Sequence, residues 1–344
     1  MTAPSLSSLR PALVGVPDPD PTESPAIERG IADSVAYLGT DAALDSLALD
    51  TYWPKWHSPW WHMLLLHELG EARQIPTRVV AAMVEGLDAL PLHTFPIHPG
   101  DAPPGTDLHR DVSCHCALGC IYQVLTACGV EVDRALPWIA PWFVRYQMAD
   151  GGLNCDDTAY RQTGECPSSM VGTVAPFEAM LLGGAWSSDR RAFLDRAARF
   201  LVERELTRGS PTVHNAVERD AEPSWRLPCF PRFYFYDVLR GLGALVAWAE
   251  ASGQALPHRA FAGVVDHLVA SFPDGIVRIG RHAHAGRTTI LPVRGGPSVR
   301  APTSSFPLLD AAGVIGEPSA ALTRRWSAAR RGLVRLIDAD GIVG

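Results

Sequence analysis

Six of the seven cysteines in this 344-residue chain lie between positions 114 and 166: Cys114, Cys116, Cys120, Cys128, Cys155 and Cys166. A thiol is a small apolar core group until it ionises; as a thiolate it becomes a nucleophile, a base or a metal ligand. Cys120 and Cys128 sit inside an apolar helical run and read as core. Cys155 and Cys166 bracket a loop, and His115 beside Cys114 opens a helix. Dehydrating or isomerising an alcohol needs an acid for the departing hydroxyl and a base for the adjacent proton, both working near neutral pH. Cys155, Cys166 and His115 are candidates for those roles, with Asp156 next to them. The same donors could hold tetrahedral zinc with a fourth position open for water or substrate. Their spacing matches no zinc knuckle, so the metal ligands stay unassigned, and zinc is the one cofactor the residues suggest.

The chain around these residues has helical periodicity almost throughout. It predicts about twelve helices, near 24–38, 41–48, 59–69, 76–89, 111–128, 132–148, 168–182, 188–206, 234–251, 257–271, 304–312 and 318–336. Glycines at 70, 129, 183, 253 and 313 read as helix stops that need a left-handed residue. Short turns alternate with long Gly/Pro/aromatic links at 90–110, 149–167, 207–233 and 272–303. That alternation predicts helical hairpins with all the long links on one rim, where the polar residues collect. Six hairpins closing on themselves give an all-α, (α/α)6 toroid, and an open solenoid is the alternative. A short β-hairpin is expected only within 276–294. Residues 1–23 read as a flexible arm ahead of one toroid domain over 24–344.

Aromatic residues crowd two of the rim segments, and Trp56, Trp60, Tyr234 and Tyr236 are candidates to line an apolar pocket and favour cationic character. His57 and Asp237 stand among them as further substrate-binding candidates. Asp237 and Arg240, three apart, read as an ion pair. His62 and His67 read as core, and His282 and His284 as part of a lid.

Composition narrows the partners. Acidic residues outnumber basic ones 37 to 30, giving a net charge of −7, and Lys55 is the only lysine. Such a chain offers no basic stripe for nucleic acid. Its apolar runs are too short for a membrane span, and no continuous apolar segment reads as a secretory signal. An odd number of cysteines without such a signal points to free thiols and a cytoplasmic location. Self-association is compatible with the sequence.

Three segments resemble the prenyltransferase/squalene-cyclase repeat superfamily, especially its small single-toroid bacterial members: 53–61 (WPKWHSPWW), 147–156 (QMADGGLNCD) and 230–242 (FPRFYFYDVLRGL). The resemblance spans roughly residues 30–335. It implies the toroid fold and an isoprenoid-like or other apolar substrate. Class II terpene cyclases in this superfamily protonate an alkene with an Asp of a D-x-D-D-T element. Asn154-Cys155-Asp156-Asp157-Thr158 reproduces all but the first Asp, and Asp156 is the position that matches the acid. Protein prenyltransferases use an Asp, Cys, His zinc site. Asp111 and Cys114 fall near two of those ligands, but the expected His is missing. The His115, Cys155, Cys166 order is similar to the site of linalool dehydratase/isomerase enzymes. The expected activity is therefore proton transfer on an apolar small molecule, by an isomerase, cyclase or dehydratase. The alternatives are a zinc enzyme with the same ligands, a class II-type cyclase using Asp156, and a non-enzymatic apolar-ligand carrier.

Overall fold

The computed structural model describes residues 6–108, 110–282, 286 and 288–344. Among them are fifteen α-helices: α1 (Leu6–Gly15), α2 (Pro25–Leu38), α3 (Asp41–Leu49), α4 (Pro59–Leu69), α5 (Thr77–Asp88), α6 (His115–Ala127), α7 (Val132–Ala135), α8 (Ile139–Tyr146), α9 (Met170–Leu181), α10 (Ser188–Glu203), α11 (Val217–Trp225), α12 (Val238–Ser252), α13 (Ala262–Ser271), α14 (Pro307–Ala312) and α15 (Ala320–Asp338). Strands are few. β1 (Leu256–Pro257) pairs in parallel with β4 (Ile342–Val343), and β2 (Thr288–Val293) pairs antiparallel with β3 (Gly296–Pro302). The protein is thus predominantly helical, as its periodicity predicts. None of the described helices is long and apolar enough to cross a membrane.

Two kinds of helix alternate. α4, α6, α9 and α12 are buried on nearly every face. α5, α8 and α10 bury one stripe and turn polar residues outward. A helix apolar all round belongs inside the protein and an amphipathic one belongs at its surface. The four inner helices form a cycle of contacts closed by the amphipathic α15: α4 packs on α6, α6 on α9, α9 on α12, α12 on α15, and α15 on α4. α6 and α9 approach closely at Gly119 of α6. A Cβ there would stand 2.7 Å from the Ala175 carbonyl oxygen of α9, and nearer still to the adjoining backbone atoms.

Several boundaries differ from the sequence expectation for local reasons. α6 starts four residues late, because Cys114 is an extended N-cap (φ −87°, ψ 164°). The 132–148 helix splits because Leu136 precedes Pro137 and takes a non-helical conformation (φ −134°, ψ 67°). Gly70, Gly129 and Gly253 are left-handed as expected. Gly183 and Gly313 (φ −101°) are not; a side chain at Gly183 would collide with the Arg190 guanidinium, so close approach explains that glycine. The 207–233 link contains α11, and the β-hairpin lies later than expected, turning at Gly295. Within the 1–23 segment, α1 packs on α15 and buries Leu9 and Leu13. His284 of the expected lid lies outside the described residues.

Candidate functional site

A cavity of about 400 Å³ opens beside the N-terminal ends of α4 and α6; its lining includes Tyr52, Trp53, Lys55, Phe95, Cys114 and Cys155. One wall is the loop that precedes α4. The buried Asp50 carboxylate accepts the backbone N–H groups of Tyr52 and Trp53, each at 2.8 Å, and Arg110 Nε at 3.1 Å. Ser58 Oγ donates to the Tyr52 carbonyl at 2.9 Å. The Lys55 N–H donates at 2.7 Å to Oγ1 of Thr289, a buried residue of β2. The β-hairpin therefore helps to hold this loop.

Lys55, the sole lysine, points its ammonium into an aromatic enclosure. Nζ lies 5.2 Å from the Trp53 ring centre, 5.6 Å from Tyr234 and 5.8 Å from both Tyr52 and Trp56, and it donates to Tyr234 Oη at 3.2 Å. Burial holds this amine below the usual lysine range, while the neighbouring thiols, Cys114 first, act the other way.

The other wall carries three thiols. Cys114 Sγ and Cys116 Sγ are 3.3 Å apart, Cys155 Sγ accepts the Cys116 N–H at 3.5 Å, and the three sulfurs all lie within 4.8 Å of one another. Hydrogen bonds from the Cys116 and Cys155 thiols push Cys114 well below the ordinary thiol range, helped by the Ala117 N–H. As donors to Cys114, Cys116 and Cys155 are pushed well up. Cys114 also caps α6, whose N-terminal partial positive charge favours a thiolate. The arrangement places Cys114, whose ionisation its two neighbouring thiols favour, at the edge of a cavity that also holds the Lys55 amine.

The other expected site residues are distributed as follows. His115 is fully buried. Trp142 Nε1 donates to its Nδ1 at 2.7 Å, which leaves Nε2 to carry the ring proton and donate to Tyr160 Oη at 2.9 Å. Burial lowers His115 to about 4, so the ring is neutral at pH 7 and both its nitrogens are engaged away from the thiols. Cys166 is not in the thiol group; burial raises it, and the Asp150 carboxylate adds to that. Asp156 accepts from Thr158 Oγ1 and pairs with His214 Nε2 at 2.8 Å. Burial works to raise this carboxyl, but those hydrogen bonds prevail and hold it below the ordinary range. It is therefore ionised, which suits a proton acceptor and not a donor.

Of the aromatic candidates, Tyr234 meets Lys55 directly and Trp56 stacks on Phe233, with ring centres 5.5 Å apart. Trp60 is core, His57 is exposed, and Tyr236 donates to the Leu206 carbonyl at 2.8 Å. Asp237 caps α12 through the Arg240 N–H and also accepts the Cys229 N–H. The expected Asp237–Arg240 ion pair is corrected: Arg240 instead grips Glu178 at 2.9 and 2.6 Å. Cys120, Cys128 and Cys229 have the character of small core groups, with burial pushing their thiols up to about 12, 11 and 12. The sequence reading missed Lys55, Cys116 and Tyr160 as site residues. The signal for the first was its uniqueness among thirty basic residues.

Three soft sulfur donors within 4.8 Å also fit zinc, whose Zn–S bonds of about 2.3 Å put the sulfurs of one tetrahedron roughly 3.8 Å apart. That ligand set is Cys114, Cys116 and Cys155; His115 and Cys166 are not part of it. Compared with known proteins, the chain matches no family profile, no curated protein and no solved structure.

Proposed function

We propose that this chain is an enzyme that moves protons on a small molecule with an apolar body, using Cys114 as base and Lys55 as acid. The observation that carries this reading is the meeting of the thiol trio and the caged lysine in one cavity of about 400 Å³. The Cys114 thiolate takes a proton from carbon. The Lys55 ammonium gives one to a departing hydroxyl or to the far end of a rearranging double bond, so the protons balance. Cys116 and Cys155 stabilise the thiolate, and His115 positions α6 by tying it to Trp142 and Tyr160. A dehydratase, isomerase or cyclase all meet this description. The ionised Asp156 disfavours the class II-type cyclase acid, and a pocket containing an amine and thiols disfavours a carrier without chemistry.

The helical ring is read as an (α/α)6-type toroid of the prenyltransferase/squalene-cyclase kind. The cycle of contacts from α4 through α6, α9, α12 and α15 back to α4 supports it. An isoprenoid-like substrate follows from that resemblance and from the apolar side of the pocket at Phe95, Leu108 and Val112. Seven unpaired cysteines fit a cytoplasmic setting.

The close packing of three sulfurs favours a second reading, a zinc enzyme with Cys114, Cys116 and Cys155 as ligands. Elemental analysis paired with iodoacetamide labelling separates the two. The proton-transfer reading expects no stoichiometric metal, rapid labelling of Cys114 at neutral pH and lost labelling in Cys114→Ser. Stoichiometric zinc, with all three thiols protected until chelation, selects the second reading and removes the first.

A further inference from the structure

A second cavity, of about 430 Å³, lies among the inner helices, next to the C-terminal parts of α4, α6 and α9 and the flanks of α12 and α15. Its polar lining includes His67, Arg232, Arg240, Arg325 and Glu178. The charges there do not balance. Four guanidiniums (Arg232, Arg240, Arg325, Arg335) and two carboxylates (Glu178, Glu250) line it, Glu68 stands behind them, and Arg335 pairs with Glu250. Arg240 Nε and Nη2 and Gln123 Nε2 all donate to one oxygen of Glu178, Oε2. Glu68 accepts the backbone N–H groups of Arg232 and Phe233. Neither carboxylate forms an ion pair with the Arg232 or Arg325 guanidinium among the described residues.

Arg232 is only 5% exposed, lines the cavity and has a buried Nε without a partner. Arg325 donates to the Glu68 carbonyl oxygen at 3.3 Å. Burial, with Arg232 next to it, pushes the Arg325 guanidinium down to about 9. His67 is lowered to about 4, first by burial and then by Arg325, so it is neutral at pH 7. The negative ends of α4, α6 and α9 explain why cations collect here. They do not explain why the buried Arg232 and the half-buried Arg325 stand together with no carboxylate hydrogen-bonded to either guanidinium, an arrangement that leaves their N–H groups free to bind an anion.

We infer that this cavity binds a small amphiphilic oxyanion, its carboxylate or phosphate head on Arg232 and Arg325 and its apolar body along Leu181, Leu239 and Ala244. A guanidinium fork matches either head geometrically, because both offer two oxygens to two parallel N–H groups. Apart from its charged groups and Gln123, the lining is mostly aliphatic, which favours an anion with a hydrocarbon body over a bare inorganic ion. This site is separate from the thiol pocket and does not depend on the reading given for it.

The test titrates the full chain calorimetrically with hexanoate, hexyl phosphate and hexanol, and repeats each titration on three variants. Binding of hexanoate identifies a carboxylate ligand and binding of hexyl phosphate a phosphate ligand; either supports the site if hexanol binds at least tenfold more weakly. Arg232→Gln and Arg325→Gln should each weaken the anion at least tenfold. Gly243→Leu fills the cavity while leaving its charges intact. A Cβ at Gly243 meets no atom within 4 Å and the residue lies mid-helix, so this variant folds even if an arginine variant does not, and it too should abolish binding. The Cys114 labelling rate should stay unchanged in Gly243→Leu, which keeps failure here distinct from failure at the thiol pocket. The inference is overturned if neither anion binds, if hexanol binds as well as they do, or if Gly243→Leu binds the anion as tightly as the parent chain.

Discussion

The thiol trio depends on how deeply α6 sits against α9, and one methyl group should test that dependence. In Gly119→Ala the new Cβ lies 2.7 Å from the Ala175 carbonyl oxygen, whereas ordinary contact begins near 3.4 Å. The obstacle is backbone on a fully buried helix, so no side-chain rotation relieves it. The two helices must separate by roughly 0.7 to 1 Å, and overpacking of this kind costs about 1–3 kcal/mol. The change would be felt directly at the site, because Cys114 and Cys116 ride on the start of α6 while Cys155 belongs to the loop next to α9. Widening that gap weakens the Cys155 thiol's hold on the Cys114 thiolate, so Cys114 should label more slowly at pH 6.5. Gly243→Ala is the matched control. It makes the same chemical change in an inner helix, but its Cβ meets empty space. It should be neutral or stabilise by about 0.5–1 kcal/mol, because alanine loses less backbone entropy than glycine. Chemical denaturation and timed iodoacetamide labelling of both variants supply the two readouts. If Gly119→Ala proved as stable as Gly243→Ala, with unchanged Cys114 labelling, the dependence of the trio on helix contact would be refuted.

Other outcomes follow from the same contacts. An ordinary thiol with a pKa near 8.5 is only about 1% thiolate at pH 6.5; Cys114 should label at least tenfold faster than that fraction allows, and peptide mapping would identify it. Lys55→Met should cut any turnover by about a hundredfold or more, in line with loss of a general acid, while leaving the unfolding midpoint nearly unchanged; an undiminished rate removes the lysine from the mechanism. Glu178→Gln leaves the buried Arg240 unpaired and should cost about 3–5 kcal/mol by denaturant titration. His62, lowered to about 3, and His67 and His115, each lowered to about 4, stay neutral in the fold but gain protons near pH 6.5 when unfolded. Their contribution is complete above about pH 6.5 and is lost as pH falls towards 4, with a combined slope of roughly 4 kcal/mol per pH unit. Stability that stays flat between pH 7 and pH 5 would contradict this.

Most of the helices could be read from the sequence because an inner helix and an outer helix differ in apolar coverage, and that difference is written into each segment. The stops at Gly70, Gly129 and Gly253 were equally local. The thiol trio was not. Residues two apart on a helix point in different directions, so Cys114 and Cys116 do not suggest a pair. They meet because Cys114 is still extended when the helix starts, which depends on a cap conformation no spacing rule supplies. His115 looked like a proton carrier because imidazole next to thiol so often is one. Trp142 and Tyr160, 27 and 45 residues away, are what occupy its nitrogens. Lys55 was visible only as a count of one, and its surroundings come from Tyr234 and a β-hairpin residue 234 positions distant.

The 230–236 stretch shows why one aromatic-rich motif can serve two cavities. Phe233 takes a left-handed conformation (φ 50°), so its neighbours diverge. Tyr234 turns its hydroxyl to Lys55 in the thiol pocket, and Arg232 lines the arginine cavity. Phe233 fills the space between them, stacking on Trp56 and meeting Trp61 edge-on. Holding a bulky residue at positive φ costs on the order of 1–3 kcal/mol unless its surroundings fix it. Glu68 does that fixing. It reaches from the end of α4 to accept the N–H groups of both Arg232 and Phe233, while Arg240 donates to the Phe233 and Phe235 carbonyls. Both oxygens of the buried Glu68 carboxylate are therefore committed to backbone, which is why it makes no side-chain ion pair with Arg232 although the two attract. The fixing of the aromatic wall on one side and the guanidinium left without a side-chain ion pair on the other thus have a common origin in a single glutamate.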